Sequence, residues 1–187
     1  MKVIKKLLTS HDLAALRSLA KTCLHHEAKD RGTFSCGTVY ASGGVFYGNH
    51  DRTRTVSNDL YQKFMTASGL PKPFNGADVH QFISYKTGGK NTPHKDWIYD
   101  TNFQRSLRTD EDKASKIASK LYRVIALVNT CAKGGELFVD GKEVVLNEGD
   151  AVAFQSGLIE HEVKTVVEGD RMVFTIGFHH HREEATT

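Results

Sequence analysis

The segment from Arg171 to His179, R-M-V-F-T-I-G-F-H, constrains the fold more than any other part of this sequence. Alternation along a β-strand puts two sets of its side chains on opposite faces. One set is Arg171, Val173 and Thr175, and the other is Met172, Phe174, Ile176 and Phe178. Because each set contains apolar residues, both faces must be covered. One face therefore lines an interior that contains an arginine, and the other needs an apolar partner, for which the N-terminal helices are the candidates.

Other short strands are predicted on the N-terminal side of this segment. Runs of β-forming residues, separated by Gly, Asp and Asn, occupy residues 79–85, 94–98, 122–129, 136–139, 142–146, 150–155 and 160–166. Six or more short strands at this spacing indicate a sandwich or a jelly roll. We therefore predict a mainly β fold with helices at its N-terminus.

The N-terminal part of the chain supplies the predicted helices. The first begins at Thr9 or Ser10, which can act as its N-cap. Its apolar residues recur at intervals of three and four, and they are Leu13, Leu16, Leu19, Ala20, Cys23 and Leu24. Residues 31–54 are expected to form one or two short strands with loops. A second helix is predicted over residues 57–68, ended by Gly69 and Pro71.

The length and composition are those of an ordinary globular domain. With 187 residues, the chain can bury a sizeable core, and we expect one domain over residues 1–187, in which residues 1–75 support a core formed by residues 76–180. Its three cysteines form no C-x-x-C pair and leave an odd one over, which predicts a reducing, cytoplasmic location. No stretch approaches the roughly 20 apolar residues of a membrane span. The net charge of +3, spread along the chain, does not by itself indicate nucleic acid.

A candidate metal site lies in residues 78–97. His94 and Asp96 are two residues apart there, and on a β-strand such side chains lie on the same face. An imidazole together with a carboxylate suits a divalent transition metal such as iron(II). His161 aligns with Val163 on the inward face of its predicted strand. It would complete a His, Asp, His triad that leaves three metal positions open.

Arg171 adds an anion-binding group ten residues after His161. An inward-facing guanidinium suits bidentate binding of a carboxylate. Each of these residues taken alone also fits an ordinary structural role, such as a surface loop pair, a hydrogen-bonded core histidine or an ion-pairing surface arginine. Their joint occurrence in order along the chain is what favours a functional site.

Four separated sequence blocks strengthen this interpretation. They are Y-x-x-G-x-x-x-x-P-H-x-D at residues 85–96, G-G-E-L-F at 134–138, G-D-A-V-A-F at 149–154 and H-E-V-x-x-V-x-x-G-D-R at 161–171. Together they resemble the iron(II)- and 2-oxoglutarate-dependent oxygenases and, among these, the prolyl 4-hydroxylase-like group. The resemblance covers about residues 79–178, which is more than half of the chain.

The resemblance implies a double-stranded β-helix, or jelly roll, in which the strands carrying His161 and Arg171 belong to opposite sheets. The sequence alone would equally allow a simple hairpin. The resemblance also implies that His94, Asp96 and His161 bind iron(II), and that Arg171 and Tyr85 bind 2-oxoglutarate. The remaining cofactors are O2 and, as a candidate reductant, ascorbate. Halogenating relatives need a small residue at the position of Asp96, so the aspartate favours hydroxylation.

Two positions depart from patterns found in related enzymes. Many relatives carry a tyrosine where this chain has Leu127, so one co-substrate or substrate contact is missing or is supplied elsewhere. Nucleic-acid demethylases with a similar triad usually carry a second arginine six residues after the first, where this chain has Gly177. This difference, and the lack of an aromatic and basic patch, argue against a nucleic-acid substrate.

The sequence therefore predicts a dioxygenase that hydroxylates an unactivated C–H bond. Peptidyl proline is the substrate that the resemblance favours, and a free amino acid or other small metabolite is the alternative. Arg52, Arg54 and Arg108 lie in predicted loops and are candidates to bind a substrate carboxylate, although each also fits a solvated surface charge. An alternative of a different class is a non-enzymatic, cupin-like module that binds a metal or small ligand. Residues 100–120 are a candidate lid, and the sequence leaves the oligomeric state open.

Overall fold

The computed structural model describes residues 1–22, 25–28, 32–41, 45–46, 50–69, 79–96 and 121–179, and among these the side chains of residues 1–22, 59–69, 80–96 and 121–177. The helices in these ranges are α1 (Ser10–Ala20) and α2 (His50–Ser68). The strands are β1 (Lys2–Ile4), β2 (His25–Ala28), β3 (Gly32–Ala41), β4 (Val45–Phe46), β5 (Val79–Tyr85), β6 (Lys90–His94), β7 (Leu121–Asn129), β8 (Lys133–Gly134), β9 (Leu137–Val139), β10 (Lys142–Glu143), β11 (Ala151–Phe154), β12 (His161–Val163), β13 (Val166–Glu168) and β14 (Arg171–His179).

Most of the strands form two sheets that are joined by β3; β2 and β4 also pair with β3, and β8 pairs with β13 in a separate two-stranded sheet. The order in the first sheet is β1-β11-β7-β14-β5-β3, and the order in the second is β3-β6-β12-β9-β10. One part of the ten-residue β3 pairs with β5, and its first two residues pair with β6. The strands that carry His161 and Arg171 lie in different sheets, so the hairpin alternative is wrong. The architecture is the predicted double-stranded β-helix, mainly β and supported by α-helices.

The central strand β14 is buried on both faces, as its sequence predicts. It pairs with β5 on one side and with β7 on the other. Phe174 and Ile176 pack in the apolar cluster between the first sheet and the helices. Val173 packs in a second cluster, which fills the interior between the two sheets. The predicted alternation of β14 is therefore confirmed.

The helices cover the outer face of the first sheet. Leu16 of α1 and Phe64 of α2 are fully buried there, and the ring of Phe64 meets Phe174 edge-on with 6.2 Å between centroids. Full burial of one such side chain contributes about 1.5–3 kcal/mol. The helices thus supply the apolar partner that the second face of β14 requires.

The start of α1 agrees with the prediction. Thr9 and Asp12 form a capping box, in which the Asp12 N–H donates to the Thr9 hydroxyl at 3.2 Å and the Thr9 N–H donates to the Asp12 carboxylate at 2.7 Å. Lys63 of α2 donates to the same carboxylate at 2.6 Å, which connects the two helices. The helix ends at Ala20, and the predicted continuation to residues 23 and 24 lies outside the described residues.

Several predicted boundaries are wrong, and three of them bear on the candidate residues. Helix α2 begins at His50 rather than at residue 57, so Arg52 and Arg54 lie in a helix and not in a loop. The strand predicted over residues 94–98 shares only His94 with β6; residues 95 and 96 are not in a strand, and residues 97 and 98 lie outside the described residues. The strand predicted over residues 160–166 is broken after Val163, and Thr165 is exposed rather than inward-facing. Short polar segments carry little periodicity, so tertiary packing decides their boundaries.

Two further features complete the comparison with the sequence. The predicted lid, residues 100–120 with Arg108, lies outside the described residues. β1, which was not predicted, extends the first sheet by pairing with β11. Neither described helix is long and apolar enough to cross a membrane.

A buried histidine lies between the first sheet and α2. The His80 ring stacks on Tyr61 with 5.9 Å between centroids and meets Phe174 edge-on at 6.3 Å. Burial lowers the pKa of His80 to about 4. His80 is therefore neutral in the folded protein at pH 7, and protonating it opposes folding.

We expect the free energy of unfolding to fall as the pH drops from 6.5, the pKa of an unperturbed histidine, to about 4, the pKa of folded His80. The unfolded chain takes up the proton first in this window, and a shift of this size is worth roughly 3 kcal/mol. Chemical denaturation of the wild type and of His80→Phe at pH 7 and pH 4.5 measures the effect. The variant keeps an aromatic ring and should lose less stability between the two values; equal losses would contradict the prediction.

Candidate active site

The three side chains predicted to bind a metal meet between neighbouring strands of the second sheet. His94 ends β6, His161 begins β12, and the two residues are directly opposite in the register. The Nε2 atoms of His94 and His161 lie 3.9 and 3.8 Å from Oδ1 of Asp96, and the candidate ligand atoms of all three residues lie within 4.8 Å of one another. The structure thus brings together the residues that the sequence singles out.

Asp96 reaches this point by a route that the sequence did not predict. Because β6 ends at His94, Asp96 is not on the same strand face as that histidine. The Asp96 N–H donates instead to the carbonyl of Ser156 at 2.9 Å, and the Ser156 side chain hydrogen-bonds to the carboxylate. The segment after β6 is therefore held against the loop that follows β11.

Backbone carbonyls orient both imidazole rings. Nδ1 of His94 lies 2.7 Å from the carbonyl oxygen of Thr92, and Nδ1 of His161 lies 3.2 Å from that of Ile159. An Nδ1–H that donates to a carbonyl leaves the Nε2 lone pair for a metal. Burial lowers the pKa of His161 to about 4, so its ring is neutral at pH 7, as a ligand must be.

Arg123 belongs to this site, and the sequence analysis did not identify it. Its Nε donates to Oδ2 of Asp96 at 2.5 Å, and its Nη1 donates to the hydroxyl of Thr175 at 3.2 Å. Burial by itself raises the pKa of Asp96, but the charge and hydrogen bond of Arg123, with smaller contributions from His161 and Ser156, lower that pKa to about 2. The carboxylate is therefore ionised at pH 7.

The alternation of side chains along β7 could have predicted that Arg123 faces the interior. Alternation along β7 places Arg123 on the same face as Ile125 and Leu127. The latter two pack in the interior cluster between the sheets. An arginine on the same strand face as inward-facing apolar residues is also the pattern that singled out Arg171.

Arg171 and Tyr85 lie inside the barrel, opposite each other on β14 and β5. Arg171 is 5% exposed and Tyr85 2%, and Cζ of Arg171 is 5.5 Å from the centroid of the tyrosine ring. Burial lowers the pKa of Arg171, while the nearby Tyr85 and Cys131 oppose the shift. Because the pKa of arginine starts far above neutrality, the guanidinium remains charged.

Two buried polar atoms in this interior have no hydrogen-bond partner among the described residues. They are Nη1 of Arg171 and Oδ1 of Asn91. Arg171 also forms no ion pair with a described residue. A buried cation without a counter-charge is costly, and a bound carboxylate would remove that cost. Asn91 faces inward because it lies opposite Val163 in the register.

The residues present fit iron(II) and 2-oxoglutarate. Two imidazoles and one carboxylate are the donor set of non-haem iron oxygenases. Arg171 offers an unpaired donor for a carboxylate, and it lies on the same face of β14 as Thr175, about 13 Å away along the strand. Leu127, which replaces the tyrosine of many relatives, is buried in the interior cluster and adds no polar contact.

A double-stranded β-helix with this donor set defines a class of metal-dependent oxygenases. The family model of the 2OG-Fe(II) oxygenase superfamily matches residues 80–179, and the protein belongs to this superfamily. It is therefore a dioxygenase that uses iron(II), 2-oxoglutarate and O2, and not a cupin-like binding module. No protein of curated function matches the sequence significantly.

Solved structures of the same fold include several such enzymes. A 2OG-Fe(II) oxygenase family oxidoreductase from Burkholderia pseudomallei is 16% identical with a TM-score of 0.67, covering 95% of this chain and 83% of its own. A prolyl-4-hydroxylase from Pseudomonas putida is 17% identical with a TM-score of 0.60, covering 97% and 92%. A prolyl hydroxylase from Trichoplax adhaerens, in complex with a hypoxia inducible factor peptide, is 12% identical with a TM-score of 0.62, covering 96% and 83%.

The second glycine of the G-G-E block is required by the packing around Arg171. Gly135 has a φ of +71°, and a Cβ there would lie 2.9 Å from Sγ of Cys131 and 3.0 Å from Cδ of Arg171. Gly141 has a similar φ of +68°, but a Cβ there meets nothing within 4 Å. A substitution would strain the backbone equally at both positions, but only at Gly135 would the new side chain collide with its neighbours.

We expect Gly135→Ala to lower the free energy of unfolding more than Gly141→Ala does. The left-handed backbone costs about 1–2 kcal/mol in both variants, and overpacking adds roughly 1–3 kcal/mol at Gly135 only. Urea denaturation of the two variants and the wild type provides the comparison. Equal losses in the two variants would show that the contacts with Cys131 and Arg171 relax without cost.

Proposed function

We propose that this dioxygenase is a hydroxylase in which His94, Asp96 and His161 bind the iron and Arg171, with Tyr85, binds 2-oxoglutarate. The observation that carries the co-substrate assignment is the buried guanidinium of Arg171, whose Nη1 has no partner among the described residues. A dicarboxylate with one end on Arg171 and the other at the triad would pair that charge.

The bound iron and 2-oxoglutarate supply the oxidation, in which 2-oxoglutarate and O2 become succinate and carbon dioxide and one oxygen atom is inserted into a substrate C–H bond. The chain itself provides orientation and a dry environment. Carbonyls of residues 92 and 159 hold the two imidazoles, and Arg123 holds Asp96. Apolar residues of the interior cluster exclude water around Arg171.

For the substrate, we propose a peptidyl proline. The support is the similarity in fold to the prolyl hydroxylases from Pseudomonas putida and Trichoplax adhaerens, together with the sequence blocks described above. A free amino acid or another small metabolite is the competing outcome. We also propose a cytoplasmic enzyme formed by one domain over residues 1–187; the free thiol of Cys131 is consistent with a reducing compartment.

Replacing His94 or Asp96 by Ala should abolish succinate formation, because two ligands do not hold the metal in place. Two measurements check this. The first is succinate release, and the second is the weak visible charge-transfer band that forms when iron(II) and 2-oxoglutarate are added without oxygen. Both should be lost in each variant. Full succinate formation by either variant would overturn the ligand assignment.

Two control variants sharpen this experiment. His11→Ala removes an exposed histidine of α1 and should change neither measurement. Arg171→Gln should keep binding of Mn(II), an inert substitute for iron(II), but should lose protection of the fold by 2-oxoglutarate in thermal unfolding. Unchanged protection by 2-oxoglutarate in Arg171→Gln would exclude Arg171 as its binding residue.

The substrate is identified by its hydroxylated product. The enzyme, loaded with iron(II) and 2-oxoglutarate, is incubated with proline-containing peptide pools and, separately, with amino-acid pools. We expect a product about 16 Da heavier only in the peptide pools, accompanied by additional succinate. A heavier free amino acid, with no modified peptide, would replace the peptidyl proline assignment by a small-metabolite hydroxylase.

A further inference from the structure

The two carboxylate oxygens of Asp96 have different partners. Oδ1 faces the Nε2 atoms of His94 and His161 at 3.9 and 3.8 Å. Oδ2 accepts from Nε of Arg123 at 2.5 Å. The oxygen that contacts both histidines is therefore Oδ1, while Oδ2 is engaged by Arg123.

Arg123 is itself held in place from the neighbouring strand β14. Its Nη1 donates to Oγ1 of Thr175, which is fully buried. Its guanidinium lies over Gly177, where a Cβ would be 3.7 Å from Nη2 and 3.8 Å from Cζ. Because the φ of Gly177 is not in the left-handed region, the backbone does not require glycine there. A Cβ alone would fit there at van der Waals distance, and a larger side chain would crowd the guanidinium.

Arg123 brings a guanidinium to a position near the triad where the sequence pattern predicted no arginine. Gly177 occupies the position six residues after Arg171 at which demethylase relatives carry their second arginine. Arg123 reaches the space above Gly177 from β7, directly opposite in the register. The guanidinium is present at the metal site, but another strand provides it.

We propose that Arg123 is a positioning residue that restricts Asp96 to a single metal-binding oxygen. This inference rests on the proposed role of Asp96 as a ligand. A carboxylate can bind a metal through one oxygen or two. If Asp96 used both, the triad would fill four positions of an octahedral ion, and the two left would be taken by a bidentate 2-oxo acid. By engaging Oδ2, Arg123 keeps the position that O2 needs.

Infrared difference spectroscopy tests this directly, without turnover. Spectra of protein labelled with 13C-aspartate are recorded with and without Mn(II), and the separation of the antisymmetric and symmetric carboxylate stretches is wide for one bound oxygen and narrow for two. We expect a wide separation in the wild type and a narrow one in Arg123→Met, which removes the donor. Arg123→Lys, which keeps a cationic donor, should restore part of the separation. The same separation in Arg123→Met and in the wild type would overturn the inference.

Two further variants keep the test decisive if Arg123→Met does not fold. Thr175→Val removes the hydrogen bond that holds Arg123, and Gly177→Val crowds the guanidinium; circular dichroism verifies folding. Both variants should narrow the separation of the two carboxylate stretches, as Arg123→Met does. If both variants keep the separation of the wild type, the role of Arg123 is contradicted. Asp96→Asn must remove the Mn(II)-dependent signal. If the signal persists in that variant, Asp96 is not the ligand, and the ligand assignment and this inference both fail.

A kinetic measurement distinguishes a positioning role of Arg123 from an ion pair with Asp96 that only stabilises the fold. Substrate-independent succinate release is followed as a function of O2 and of 2-oxoglutarate. In Arg123→Met we expect the KM for O2 to rise by about tenfold to a hundredfold, with little change in the KM for 2-oxoglutarate. A structural role would instead weaken the binding of metal, 2-oxoglutarate and O2 together.

Discussion

The burial of β14 on both faces is the constraint on which the rest of the structure depends. A strand with phenylalanine and isoleucine on one face and arginine, valine and threonine on the other cannot lie at a surface. Its first face requires the helices, which cover Phe174 and Ile176 with Leu16 and Phe64. Its second face, with Val173, is covered by the second sheet, so the chain closes into a two-sheet barrel. Once the barrel is closed, polar residues on the inner face are buried and must have partners there.

The polar interior of the barrel is organised around that requirement. At one place along β14, Thr175 accepts from Arg123, which in turn engages Asp96 beside the two histidines. At another, Arg171 lies against Tyr85 with one nitrogen that no described residue satisfies. The first arginine is paired with Asp96, and the second has no ion pair with a described residue, as the proposed binding of 2-oxoglutarate requires. This difference explains how two inward-facing arginines of neighbouring strands serve different purposes.

Much of the site could be predicted because its signals are local. His161 and Arg171 follow from alternation within their own strands, and the spacing of His94 and Asp96 suggests a ligand pair. The prediction that the two residues share one strand face is nevertheless wrong, because β6 ends at His94 and Asp96 is held by a hydrogen bond to Ser156. Similarly, α2 begins seven residues before the predicted position, since the polar residues after His50 carry little apolar periodicity. Where tertiary contacts outweigh local preference, a pattern in the sequence cannot locate a boundary.

By itself, the sequence determined the class of fold and the double burial of β14, and it singled out the three residues that the structure brings together, because these depend on alternation and spacing along short stretches. The tertiary structure decided which strands face one another. The register of β7 against β14 places Arg123 over Gly177 and beside Thr175, which is 52 residues from Arg123 in the chain. The segment after β6 brings Asp96 to the same guanidinium. Contacts between residues so far apart in the chain depend on the packing of whole sheets, and no local pattern encodes them. The division of the two Asp96 oxygens between Arg123 and the histidines is therefore a property of the folded protein alone.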